Sequence, residues 1–133
     1  MDQITLTATA ANWTEAAARQ FAAVLSYVGV DSLRGQVESG AAQLFELYVD
    51  KSFDPCGWYV LRIDQSEEGP EGVVVAAVGH WAGVDITATM LPLVEKQFYG
   101  CVSVRVHTDR PGMVRKLLKQ GYGQPEMIVR KKL

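Results

Sequence analysis

The chain is poor in the residues that build metal, redox and disulfide sites. Its 133 residues include two cysteines, Cys56 and Cys101, and two histidines, His80 and His107. The cysteines lie far apart and form no CxxC pair, so neither a disulfide framework nor a zinc cluster is expected. A reduced, cytoplasmic setting is the simplest reading. No apolar run approaches the roughly 20 residues that cross a bilayer. The opening Met1-Asp2-Gln3 lacks the basic flank and apolar stretch of a secretion signal, and no membrane contact is expected. There is no GxxxxGK[ST] loop to cradle a nucleotide and no GxSxG elbow to present a nucleophilic serine.

What remains is ordinary globular material. Hydrophobic residues make up 48% and charged residues 21% of the chain, which predicts one domain over residues 1–133 with a sizeable core. The net charge of −2 hides an asymmetry. Residues 105–133 hold eight basic side chains against Asp109 and Glu126, a net of +6, and the rest of the chain carries −8. A basic end on an acidic body suits an anionic ligand or two solvated faces of opposite sign. The aromatic interleaving of single-strand binders is missing, so nucleic acid is not an expected partner.

Hydrophobic periodicity predicts the elements. Residues 3–8 alternate as a short strand, and Asn12 or Thr14 can cap the following helix. Ala17, Phe21, Val24, Leu25 and Val28 extend that helix to a stop at Gly29. A shorter helix over 31–38 is closed by Gly40. Strands over 43–49 and 57–63 follow, then a polar turn over 66–72. The apolar run 73–78 predicts a central strand buried on both faces. A helix over 87–98 contains Pro92, which places its regular start near Leu91. A strand over 101–107 comes next, then a helix over 111–120 whose Met113, Val114, Leu117 and Leu118 face inward. Gly121 ends that helix, and residues 127–132 form a last strand.

The order β-α-α-β-β-β-α-β-α-β resembles the GNAT acetyltransferase fold. That fold is a mixed α/β architecture with a central mixed sheet of six to seven strands and helices on both faces. The strand 101–107, the helix after it and the pair Gly121-Tyr122 carry the most specific local likeness, with Lys119 at a basic position the family often has. A narrower string is Gly83-Val84-Asp85-Ile86-Thr87, Leu91-Pro92, Glu95, Gly100-Cys101, Arg110, Gly112, Arg115 and Gly121-Tyr122. It is similar to small GNAT-like proteins of phages and prophages, often found among virion structural genes and mostly without assigned activity.

Two departures stand against that resemblance. Active members carry a Gln/Arg-x-x-Gly-x-Gly/Ala loop whose bare amides grip the diphosphate of coenzyme A. Residues 81–87 offer one glycine and no basic residue, and Asp85 is placed to cap the next helix itself. The family often uses a tyrosine four residues before the last glycine of the fourth helix as general acid. That position is Leu117 here.

The resemblance implies a GNAT-like phage or prophage protein without ordinary acetyl-CoA chemistry. It would act as a structural or interaction module through a protein partner or self-association, in the host cytoplasm or the virion, and would need no cofactor. The alternative is a divergent acetyl-CoA-dependent N-acetyltransferase. There, backbone near Gly83, Val84, Asp85, Ile86 and Thr87, with Arg110, would bind the cofactor, and His80 or His107 would act as base. No metal site is expected. The histidines fall at the C-terminal ends of neighbouring strands, where open α/β sheets place ligands, and can equally be satisfying loop carbonyls. Trp81 either lines or plugs the cleft between those strands.

Overall fold

A computed structural model describes residues 5–108, 110–123, 129 and 131–133. Its elements are β1 (Leu6–Ala11), α1 (Glu15–Phe21), α2 (Tyr27–Glu38), β2 (Gln43–Val49), β3 (Gly57–Ser66), β4 (Gly69–Gly79), α3 (Ile86–Gln97), β5 (Ser103–Val106) and α4 (Pro111–Lys119). The sheet runs in the order β1-β2-β3-β4-β5, antiparallel throughout except for the parallel pair β4–β5. The fold is the expected mixed α/β class, with five strands among the described residues. Gln3 and Ile4 of the first expected strand, and Met127, Ile128 and Arg130 of the expected last strand 127–132, lie outside those residues, and the described Val129, Lys131 and Lys132 are in no strand. No helix among the described residues is long and apolar enough to cross a membrane.

Each face of the sheet carries its own core. On one face Ala17 and Phe21 of α1 and Leu33 of α2 pack on Leu44, Trp58, Val60 and Ala76. On the other, Met90 and Val94 of α3 and the adjoining Phe98 pack on Leu47, Tyr59, Leu61 and Val74. A strand covered on both sides has no polar face, which is why residues 73–78 are all apolar.

Several local expectations are corrected. The long first helix is broken. α1 ends at Phe21, and Ser26 caps α2 by accepting the Gly29 amide at 3.1 Å. A serine oxygen matched to a free first-turn amide outcompetes the continuing apolar period, so Gly29 starts a helix instead of stopping one. The polar turn shrinks to Glu67 and Glu68, because Ser66 pairs with Gly69 and its hydroxyl donates to the Gly69 carbonyl at 2.7 Å. Finally, α3 runs straight through Pro92. An interior proline costs about 3 kcal/mol, but burying Met90, Leu91 and Val94 returns roughly 1.5–3 kcal/mol each. At α4, Leu117 is buried, Met113 and Val114 are half-buried, and Leu118 is exposed, contrary to expectation.

The sheet has one irregularity, and it sets the site. Val60 pairs with Ala76 and Leu61 with Val74, which leaves Val75 as an extra residue in β4. Consecutive Val75 and Ala76 therefore both pack on the α1–α2 face, while Val74 and Ala77 pack on the α3 face. A bulge of this kind bends its strand and sharpens the twist.

Gly72 of β4 lies directly beneath the Phe98 ring, and a Cβ there would sit inside the ring's van der Waals envelope. Gly72→Ala is expected to lower stability by roughly 1–3 kcal/mol through overpacking. In urea unfolding, the double variant with Phe98→Leu should lose less than the sum of the two single variants.

Candidate functional site

β5 follows β4 only as far as the bulge. Residues Glu71 to Val74 pair with Ser103 to Val106, and the His107 amide donates to the Val74 carbonyl at 3.0 Å. Beyond that bond β4 continues through Gly79 with β3 alone as its ladder partner. The two strands splay, and an apolar cavity of about 50 Å³ opens between them. Its walls come from Val24 and Leu25 of the α1–α2 link, from Val75 and Ala77, from Met90 and Leu91, and from Met113 and Leu117 of α4. The helix break at Ser26 thus places Val24 and Leu25 on the cavity wall. The polar groups on the lining are those of Thr87, His107, Thr108 and Arg110.

The fold gathers three of the sequence-predicted residues here, Thr87, His107 and Arg110, and leaves the others aside. His80 is exposed, and its amide donates to the Cys56 carbonyl at 2.8 Å. Trp81 to Val84 form a tight turn in which the Val84 amide reaches the Trp81 carbonyl at 3.1 Å and Gly83 takes φ +78°. That backbone suits glycine in the third position of a type II turn. Trp81 is about one-third exposed, at 36%, and is not among the residues of the cavity wall, so it neither lines nor plugs the cavity. Gly83, Val84, Asp85 and Ile86 are also absent from its walls.

Asp85 caps α3, accepting the Ala88 amide at 3.2 Å, and the same oxygen lies 3.5 Å from Lys116 Nζ on α4. The pair joins the helix that follows β4 to the helix that follows β5, across the splay. Both side chains are about half exposed, 47% for Asp85 and 50% for Lys116. An ion pair of that exposure contributes about 0–1 kcal/mol. Its larger effect is on what can bind. A carboxylate about 4 Å from a phosphate charge is repelled by roughly 4 kcal/mol near a protein surface. Residues 83–87, with Asp85 in the cap and no basic residue among them, do not suit the diphosphate of coenzyme A, and the cavity of about 50 Å³ would have to widen to admit the arm of a pantetheine thioester.

His107 belongs to a polar network that sequence reading missed. Arg105 Nε donates to His107 Nε2 at 3.0 Å, while its two terminal nitrogens bind Glu71 at 2.6 Å and Asp64 at 2.8 Å. Arg62 in turn holds Asp64 through two bonds, at 2.7 and 3.0 Å, and Gln36 of α2 at 2.7 Å. The signal lay in charges spaced two apart on alternating strands, Arg62/Asp64 and Arg105/His107, which share a face of the sheet. With its Nε2 lone pair engaged, His107 carries its proton on Nδ1 and presents a donor in this arrangement. His107 is itself exposed by surface area; partial desolvation, then the cations Arg105 and Arg62, push its pKa below the ordinary histidine value. Arg62 and then Arg105 hold the Asp64 carboxyl below the usual carboxylate range.

Leu117 itself offers no acid. Leu117 is buried on the cavity wall. Tyr122, just past α4, donates its hydroxyl to Glu95 at 3.0 Å, and burial followed by Glu95 pushes its pKa well up. Gly121 at φ +89° closes the helix, with the Tyr122 amide bonding to the Leu117 carbonyl at 3.1 Å, a Schellman ending. Among the described residues no group of three or more His, Cys, Asp or Glu side chains is placed to hold a metal ion.

Because the folded state disfavours a proton on His107, its contribution to stability is complete above the ordinary histidine value of about 6.5 and declines as pH falls through it. The melting temperature is expected to drop between pH 7.5 and 5.5 by less in His107→Gln than in the parent chain. In an NMR titration, Arg105→Met should raise the pKa of His107 by removing the nearest cation.

Comparisons with known proteins bear on the fold. No family model matches the chain, and no curated protein matches it. Solved structures do. The chain is similar to a GCN5-related N-acetyltransferase from Ralstonia eutropha, at 11% identity and TM-score 0.65, covering 97% of this chain and 99% of that one. It is similar to a ribosomal-protein-alanine N-acetyltransferase from Brucella melitensis biovar Abortus, at 16% identity and TM-score 0.62, covering 96% and 100%. A Trypanosoma brucei acetyltransferase matches at 16% identity and TM-score 0.62, covering 97% and 100%. At such identities the likeness establishes the architecture and leaves the chemistry to the residues of the groove.

Proposed function

We propose, from the acetyltransferase architecture that the chain carries, that it is a divergent N-acetyltransferase. It would move an acetyl group from a pantetheine thioester to an amine. The observation that supports this is the splay of β4 and β5 at the Val75 bulge, which opens an apolar slot ending on Thr87, His107 and Arg110. In the reaction the acceptor nitrogen attacks the thioester carbonyl, a C–N bond forms, the C–S bond breaks, and the amine proton leaves with the departing thiolate or solvent. The apolar walls exclude water, which strengthens each polar contact inside. The His107 N–H, the hydroxyls of Thr87 and Thr108 and the Arg110 guanidinium are the side-chain donors on the slot's lining. Arg110, exposed at the start of α4, is the cation available to an anionic acceptor.

A protein acid is not in place at position 117, and a positioned acid contributes typically 10²–10⁴-fold. Turnover is accordingly expected to be slow. A second reading is favoured by Asp85 at the head of α3 together with Leu117. In that reading the chain is a GNAT-like module of phage or prophage type with no acetyl-CoA chemistry, working by protein association in the cytoplasm or the virion.

Thiol release from S-acetylpantetheine or acetyl-CoA, followed with a thiol reagent against a panel of amines, separates the two readings. The first expects slow, amine-dependent release that Ala77→Leu, by filling the slot, reduces at least tenfold. No release with any amine, and no binding of either thioester, leaves the second.

A further inference from the structure

We infer that the β4–β5 groove selects a pantetheine thioester without a nucleotide diphosphate, and that the Asp85–Lys116 pair is the element that excludes the diphosphate. The inference rests on the proposed reading of the groove as a thioester slot and specifies its donor. Asp85 fills the position where an anion would meet the first turn of α3, and it holds the Ala88 amide that such an anion would need. The cation nearest that point, Lys116, is already matched to the same carboxylate oxygen at 3.5 Å. No basic residue occurs in residues 81–87 to offset the acid. A phosphate group there would find one amide fewer and a lysine whose charge is already matched by the Asp85 carboxylate, so no net positive charge remains to hold it. Deeper in the slot the demands are different. The walls contributed by Val75, Ala77, Met90 and Val106 match the apolar stretches of the arm, and Thr87 and His107 supply donors for its amide carbonyls. Selectivity therefore lies at the rim and affinity in the slot.

The test compares S-acetylpantetheine with acetyl-CoA by isothermal titration calorimetry at low salt. The parent chain is expected to bind S-acetylpantetheine at least as tightly as acetyl-CoA. Asp85→Ser keeps a hydroxyl that can cap α3 and removes the charge, freeing Lys116. It should tighten acetyl-CoA about tenfold and leave S-acetylpantetheine within twofold. Lys116→Met, on an exposed helix face, should weaken acetyl-CoA further while S-acetylpantetheine stays unchanged. Tenfold tighter binding of acetyl-CoA than of S-acetylpantetheine by the parent chain would overturn the inference and leave the acetyltransferase reading standing. Equal effects of Asp85→Ser on both ligands would also overturn it. Binding of neither ligand would remove both the inference and the reading it rests on.

Discussion

Everything at the candidate site depends on one extra residue in a strand. Val75 has no partner of its own across the β3–β4 ladder. Its insertion turns two consecutive side chains to the same face and bends β4 away from β5. β5 is too short to follow, since its last backbone bond is the one from His107 to Val74. The separation is thus a property of backbone register, and the side chains that happen to stand nearby then become walls.

A second constraint keeps the opened sheet from coming apart. Arg105 stands at the paired end of β5 and reaches three partners, Glu71 on β4, Asp64 on β3 and His107 beyond its own strand. Arg105, Asp64 and Glu71 are each partly exposed, at 37%, 32% and 21%, so the pairs are individually modest. As a connected set with good geometry they tie three strands together immediately beside the splay. The same contacts decide the protonation of His107, so the device that braces the sheet also sets what the groove wall can offer chemically.

How much of this was legible in the sequence varies with the range of the interaction. Asp85 as the cap of α3 and Gly121 as the stop of α4 were readable, because capping depends on residues three or four apart. Burial of residues 73–78 on both faces was readable from composition alone. The bulge was not, since a run of valines and alanines looks the same with or without an unpaired residue. The break before α2 was hidden because Val24 and Leu25 keep the helical period while Ser26 competes for the backbone. The turn at Glu67 and Glu68 was hidden by polar residues that belong to the strands. The Arg105 network left a trace in the spacing of charges, but its partners lie 34 and 41 residues away, beyond what local pattern shows.

The small size of the cavity has a further meaning when set beside the length of β5. A volume of about 50 Å³ is hardly more than the roughly 30 Å³ share of one water molecule, so a chain of any length must widen it to enter. Among the described residues, β5 is a strand of four residues joined to the sheet along one side. Opening a segment with so few bonds costs a fraction of global unfolding. Of the walls described, β5 is therefore the one whose local opening would break the fewest backbone bonds.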